Sequence, residues 1–307
     1  MQQREWMAAR RARAATAPAM APAEAPPIEL PRASVPRLGL DDTSYVGSIP
    51  EHCHRGIGPF LFEPFARHTA ERVRTLAPHR LLETACGTGI VTRRLRDVLP
   101  DGALLVASDL SPAMLDVARC TLGGATRVEW TRADMARLQF GAGEFDTLVC
   151  QFGLMFAPDK LAAVREARRV LRRGGHYLVT TWAPLARNPV IELVHRAIAA
   201  MFPDDPPTYL VRGPFGYGDP DALADLLTAG GFRSVEVDVI EKAATSPGAH
   251  DLALGLVHGC PLVHEIERRD AARLPAVVDA VAGAIAQEFG VAPVHGRIAA
   301  LVASAVA

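Results

Sequence analysis

Residues 83–89 read Glu83-Thr84-Ala85-Cys86-Gly87-Thr88-Gly89, and the fold is decided there. The short apolar run from His79 to Ala85 predicts a strand. Gly87 and Gly89 predict a tight turn, and Ile90 to Leu99 predicts a helix. Two glycines directly after a strand let the backbone approach a ligand closely. The third glycine of a dinucleotide fingerprint is missing, because Thr92 stands in its place. An acid, Glu83, precedes the turn. A carboxylate there is unhelpful beside a pyrophosphate and suits a ligand that carries cationic groups.

Outward from this turn, strands and helices alternate. A helix is expected from about residue 64 through Phe65, Val73 and Leu76. Leu104 to Ser108 predicts a second strand ending in Asp109, with Ser111 as cap and Pro112 in the first turn of the next helix. Val128 to Thr131 and Phe145 to Gln151 predict strands three and four. Lys160 to Arg172 predicts a helix stopped by Gly174-Gly175, and His176 to Trp182 a fifth strand. This spacing implies a mostly parallel sheet covered on both faces, with ligands beyond the carboxyl ends of its strands. Further on, Val190 to Met201 predicts a helix and 202–218 a Pro/Gly-rich loop. Asp219-Pro220 opens a helix that Gly230-Gly231 closes. Ser234 to Ile240 alternates with period two and predicts a strand. Residues 250–289 predict helix. Arg297 to Ala305 fits a strand or a short helix.

Composition narrows the function. The chain has 307 residues, 33 Lys+Arg against 34 Asp+Glu, and a formal net charge of −1. That balance argues against general nucleic-acid binding. No apolar run approaches the ~18–20 residues of a membrane helix. The five cysteines are scattered without a C-x-x-C pair, which suggests a reducing, cytoplasmic compartment and no structural zinc module. Residues 1–40 are rich in Ala, Pro and Arg, with six Arg and three Glu. They are expected to form a disordered extension, a transit peptide being the less favoured reading.

Four strand ends concentrate the chemistry. Glu83 and its turn form the first. Asp109, 22 residues beyond Gly87, is placed to accept both hydroxyls of a ribose. Asp134-Met135 follows strand three, an acid to accept from an adenine amino group beside an apolar cover. The fourth is Cys150-Gln151-Phe152-Gly153-Leu154-Met155-Phe156.

This ordered set, followed by Leu171-Arg172-Arg173-Gly174-Gly175, resembles the class I S-adenosylmethionine-dependent methyltransferases. Within them it is similar to the branch around the ubiquinone/menaquinone-biosynthesis enzymes. The likeness spans about residues 45–240. It implies an α/β, doubly wound, Rossmann-like fold: a seven-stranded, mostly parallel sheet with one antiparallel strand. A methyltransferase domain over 41–307 would carry an N-terminal lid helix (about 45–78) and cap insertions (about 183–218 and 250–295). The implied cofactor is S-adenosylmethionine. Glu83 with Ala85, Cys86, Gly87, Thr88 and Gly89 would hold its methionine part. Asp109 would hold the ribose, and Asp134 with Met135 the adenine. Leu110 and Met114 join this cofactor set, and Gln151 and Phe152 would lie near the methionine and the acceptor. Related proteins often place a tyrosine over the cofactor before the glycine turn. Here Cys53 stands at roughly that place, in Ile49-Pro50-Glu51-His52-Cys53-His54-Arg55.

The acceptor is expected to be a small organic molecule, with a hydroxyl or carbon receiving the methyl group. Cys53, Phe152, Met155, Phe156, Trp182, Tyr209 and Tyr217 are its candidate pocket, and Phe202 and Phe215 with the two tyrosines suggest an aromatic lining. No unambiguous base stands out; His54 and His258 are the candidates, with His264 beside them. His52-Cys53-His54 does not make a metal site, because neighbours on a helix point about 100° apart. The Arg165, Arg168, Arg169, Arg172 and Arg173 run reads as a solvated face near a helix C-terminus. A monomer or homodimer is expected. Two other classes stay open: a decarboxylase or cyclase using the same cofactor, or a non-catalytic partner. A nicotinamide oxidoreductase is disfavoured by Glu83 and Thr92.

Overall fold

The computed structural model describes residues 45–123 and 127–307. The extension expected over residues 1–40 lies outside them. Seven strands run β1 (Arg80–Thr84), β2 (Leu104–Asp109), β3 (Val128–Arg132), β4 (Phe145–Gln151), β5 (Leu171–Trp182), β6 (Arg233–Ser246) and β7 (Val294–Val306). They form one sheet in the order β3-β2-β1-β4-β5-β7-β6. β7 pairs antiparallel with both β5 and β6, and the other neighbours are parallel. Chain order reverses between β1 and β4, so the crevice of the sheet opens at their carboxyl ends.

The faces follow from alternation along the strands. Leu81, Leu105, Val149 and Leu178 pack against helices α2 (Glu63–Leu76) and α3 (Ile90–Val98). Leu82, Val106, Leu148 and Val179 face α5 (Lys160–Val170) and α8 (Pro220–Ala229) on the other side. Helix α4 (Pro112–Leu122) follows β2, and the Ser111 hydroxyl accepts from the Met114 N–H as its cap. A further apolar cluster joins the N-terminal helices to α6 (Pro189–Met201), the short α7 (Tyr209–Arg212), α9 (Ala249–His258), α10 (Leu262–Asp270) and α11 (Leu274–Phe289).

The local surprises have physical causes. The first helical stretch begins at α1 (Ile49–His52) and passes through a ten-residue π-helical segment, Cys53–Phe62, before α2. Pro59 sits inside that wider turn, where its missing N–H and its ring are tolerated more easily than in an α-helix. The helical stretch expected over 250–289 is built as three helices, parted at Gly259–Pro261 and by a 3₁₀ turn at Ala271–Arg273. Helix α5 ends at Val170, not Arg172, and Gly174-Gly175 lie inside β5. A side chain at Gly175 would meet the carbonyls of Arg172 and Asp146 at 2.9 and 3.0 Å, so glycine there admits β4 instead of ending the helix. The C-terminal segment left open between strand and helix is β7, and β6 runs six residues past Ile240 to pair with it.

Candidate active site

β1, β2 and β4 end side by side, and the chemistry gathers above them. Ala85 leaves β1 at φ 52°, and Gly87 and Gly89 follow at φ 55° and 81°. Gly89 then caps α3, whose N-terminus points into the turn. Asp109 organises the neighbouring edge. One carboxylate oxygen accepts the Gly87 N–H and the other the Ser111 N–H, each at 2.8 Å. An ionised carboxylate can accept more donors than these, such as a ligand hydroxyl. Burial raises the Asp109 carboxyl, and the backbone N–H groups of Ser111, Gly87 and Leu110 oppose that rise.

Glu83 is the anomaly of the site. Its side chain is 1 % exposed, and its Oε2 has no hydrogen-bond partner. Burial lifts its carboxyl to about 8; the neighbouring Thr92 hydroxyl opposes the lift and the Asp109 charge adds to it. An acid in this setting invites a cation. Cys86 and Thr88 are buried in the same turn. Burial pushes the Cys86 thiol well above its ordinary value, so it is no nucleophile. Thr88 Oγ1 lies 3.0 Å from His54 Nδ1 on the π-helical segment.

On the other flank, Asp134 is exposed after β3 and accepts the Ala136 N–H at 2.8 Å. Met135 reaches across, so that a Cβ on Gly153 would lie 3.3 Å from its methyl group. Leu110 is 56 % exposed although it follows a buried strand, which leaves an apolar surface beside Asp109. Met114 is buried below it.

At the end of β4, Phe152 adopts φ 58°, an unusual conformation for a bulky residue. Its N–H donates to the Thr180 carbonyl at 2.8 Å, and its ring stacks on Trp182 at 3.8 Å and 11°. Phe65 meets both rings edge-on, and Phe215 stacks on Trp182 at 5.5 Å. Phe62 and Phe65, not among the expected pocket residues, complete this wall together with Phe215, which was expected there; aromatic spacing in the lid was the available signal for the first two. Met155 and Phe156 pack in the same cluster.

Several expected residues have other partners. Gln151 does not face open space: its Oε1 accepts from Thr69 Oγ1 at 2.9 Å and its Nε2 donates to the Phe62 carbonyl at 3.2 Å. It therefore pins the junction of the π-helical segment with α2 to the sheet. Cys53 is buried, with its backbone against Gly259. Tyr45 stands before the helical stretch that carries Cys53; its carbonyl accepts from Ser111 Oγ at 3.0 Å and its ring meets Phe156 edge-on. Tyr45 had no signature beyond its place before the helix. Tyr217 donates its hydroxyl to the Ala222 carbonyl and carries the Lys160 ammonium over its ring. Tyr209 is fully buried and pairs its hydroxyl with that of Tyr45. His258 neighbours His52 at 5.3 Å, and His264 neighbours Glu267. The arginines of α5 and its sequel are structural in part: Arg169 holds Glu166 and the Leu138 and Phe140 carbonyls, and Arg172 holds Asp146.

Comparison with known proteins agrees with this geometry. A family model described as a methyltransferase domain matches residues 82–179. A demethylmenaquinone methyltransferase of Clavibacter sepedonicus is 31% identical over 181 residues, covering 55% of this chain and 71% of that protein. The ubiquinone/menaquinone biosynthesis C-methyltransferase UbiE of Shewanella frigidimarina is 28% identical over 186 residues, with 55% and 72% covered. Among solved structures, a putative methyltransferase from Bacillus halodurans shares the fold, with a TM-score of 0.51 at 18% identity over 78% of this chain and 97% of that one. Phosphoethanolamine N-methyltransferase 2 of Haemonchus contortus does so at a TM-score of 0.54 and 17% identity, over 87% and 58%. With Glu83, the glycine turn and Asp109 in the arrangement described, the chain belongs to the class I S-adenosylmethionine-dependent methyltransferases and transfers a methyl group from that cofactor to a small molecule.

Proposed function

We propose that Glu83 receives the ammonium of S-adenosylmethionine, Asp109 its ribose hydroxyls, and Asp134, Met135 and Leu110 its adenine. The acceptor is then a small, largely apolar, oxygen-bearing molecule seated by the Phe152–Trp182 stack. The carrying observation is the buried Glu83 Oε2 without a partner. A cationic donor at the glycine turn satisfies it, and a pyrophosphate does not. Bound there, S-adenosylmethionine supplies a methyl group already activated by its sulfonium. The protein's own share is alignment: the turn and Asp109 fix the donor, and the aromatic wall fixes the acceptor, a contribution worth up to ~7–11 kcal/mol in favourable cases.

The stretch 45–78 acts as lid, and 183–218 with 250–295 as cap. Both must loosen to admit an acceptor, since Phe65, Phe152, Trp182 and Phe215 are buried. Demethylmenaquinone, for which the Clavibacter relative is named, carries a ring of the kind this wall suits. We infer work on a small molecule in the cytoplasm, as monomer or homodimer, in keeping with a net charge of −1 and five free cysteines.

Calorimetric titration with S-adenosylmethionine, S-adenosylhomocysteine and NADH tests the assignment. Micromolar binding of the first two, no binding of NADH, and loss of binding in Asp109→Ala are expected. NADH binding, or an unchanged affinity in Asp109→Ala, overturns it.

A further inference from the structure

The Tyr45 and Tyr209 hydroxyls lie 3.1 Å apart. Two phenols bring two protons, and one hydrogen bond between them uses one. Whichever of them donates, the other's proton has no acceptor among the described residues. Tyr45 is half-buried and Tyr209 1 % exposed, so with Tyr45 as donor the leftover proton is that of Tyr209, which water does not readily serve. Burial raises both phenols above their ordinary range, so both stay protonated and act as donors. A buried donor without an acceptor is a place made for one.

The pair is also held firmly. On one side the Tyr45 carbonyl accepts from Ser111 Oγ, whose own backbone N–H binds Asp109. On the other, the buried Glu265 carboxylate accepts the N–H groups of Thr208 and Tyr209 at 2.7 and 3.2 Å and fixes the start of α7. The position is right for a methyl acceptor. Tyr45 touches Phe156 at the end of β4. The loop that carries Tyr209 goes on to Phe215, which stacks on Trp182. One segment thus supplies a polar donor and an apolar wall to the same cluster.

We propose that the Tyr45–Tyr209 pair is the subsite for an oxygen on the methyl acceptor, a phenolic or enolic oxygen whose ring lies against Trp182 and Phe215. The pair donates one hydrogen bond to that oxygen, which selects oxygenated rings and favours their ionised form. This rests on the acceptor class proposed above and adds which residues read it. Tyr209 is here a specificity-determining residue.

The test uses the full chain saturated with S-adenosylhomocysteine, titrated with 4-nitrophenol and with nitrobenzene. The probes differ by the one oxygen at issue. The wild type is expected to prefer 4-nitrophenol by about tenfold or more, and bound 4-nitrophenol, followed by its absorbance, to ionise at lower pH than free. In Tyr209→Phe, which keeps the ring, the preference falls below about threefold and the ionisation moves back up, while nitrobenzene and S-adenosylhomocysteine bind as before. If Tyr209→Phe does not fold, Tyr45→Phe reads the same differences. An unchanged preference, or a loss of S-adenosylhomocysteine affinity alone, makes the pair a latch for the lid and overturns the proposal. Equal binding of both probes by the wild type overturns the oxygen subsite alone. If neither binds while S-adenosylhomocysteine does, the acceptor class falls and the subsite with it.

Discussion

The carboxyl end of the sheet and the lid–cap layer above it are built on opposite terms. At the sheet, polar and strained groups converge: Glu83 is buried without a partner for Oε2, and Ala85 and Phe152 hold positive φ at the ends of adjacent strands. These features cost the unbound protein free energy that a ligand can recover. In the layer above, helices meet through absence of side chains. A Cβ on Gly255 would lie 2.6 Å from the Gly56 backbone, and one on Gly259 would lie 3.0 Å from the Cys53 backbone. The cofactor end is thus specified by groups that want a ligand, and the glycine contacts of the layer above by surfaces that only need to fit. One is costly to alter for binding, the other for stability.

The largest effect should come from Glu83→Gln. It leaves the cofactor ammonium without its charge partner in a buried place, an effect of about 3 kcal/mol or more, so affinity for S-adenosylmethionine should fall over 100-fold by calorimetry. Stability should move the other way. Glu83 keeps its proton in the fold up to about 8, whereas the unfolded chain releases it near pH 4.3. The native state therefore binds more protons in that window, and stability declines as pH rises through it. Denaturant titrations at pH 5 and 8 should show a decline on the order of 3 kcal/mol in the wild type and a smaller one in Glu83→Gln. A variant that loses both binding and stability would erase the contrast between the two regions.

Gly255→Ala should do the reverse. Its Cβ meets backbone, so the lid helix and α9 must part, costing about 2–3 kcal/mol of stability, while S-adenosylhomocysteine binding changes less than about threefold. A large loss of cofactor affinity there would couple the layers more tightly than their contacts suggest. Gly153→Ala probes the junction of β1 and β4, since its Cβ would lie 2.4 Å from the Ala85 Cβ. It should cost about 1–3 kcal/mol, and Ala85→Gly, which removes that atom and eases φ 52°, should restore much of it in the double variant. Additive costs would show that the strain lies elsewhere. The smallest effect belongs to Leu110→Ala. This exposed side chain should leave stability within about 0.5 kcal/mol and weaken the cofactor several-fold if adenine covers it.

The same contrast governs what the sequence disclosed. The glycine turn, Asp109 and the strand ends are local patterns, because strand, turn and cap each write their residues within a few positions. The first six strands were legible for that reason; Arg297 to Ala305 stayed open between strand and helix, and the reversed strand was implied only by the family resemblance, because its antiparallel pairing with β5 and β6 is set by distant partners. The lid–cap contacts were not legible. Gly255 and Gly56 meet across the chain, and a glycine in a helix gives no sign of what it admits. Gln151 shows the limit most plainly. The family resemblance placed it near the methionine and the acceptor. Its partners, Thr69 and the Phe62 carbonyl, lie 82 and 89 residues away on the lid, which no local pattern around Gln151 announces. Tyr45 escaped notice because its role comes from the distant Tyr209 and Ser111.

The most direct measurement is the number of protons exchanged when S-adenosylmethionine binds, from calorimetry in buffers of different ionisation enthalpy. Near pH 7 free Glu83 is mostly protonated, with its carboxyl at about 8. An α-amino group titrates near 7.7–8.0 and is also mostly protonated. Paired, the two share one proton, so close to one proton should be released at pH 7. The count should pass through zero near pH 8 and reverse above it, and Glu83→Gln should abolish the release. No proton release at pH 7 in the wild type, with Glu83→Gln binding as tightly, would contradict Glu83 as the ammonium subsite.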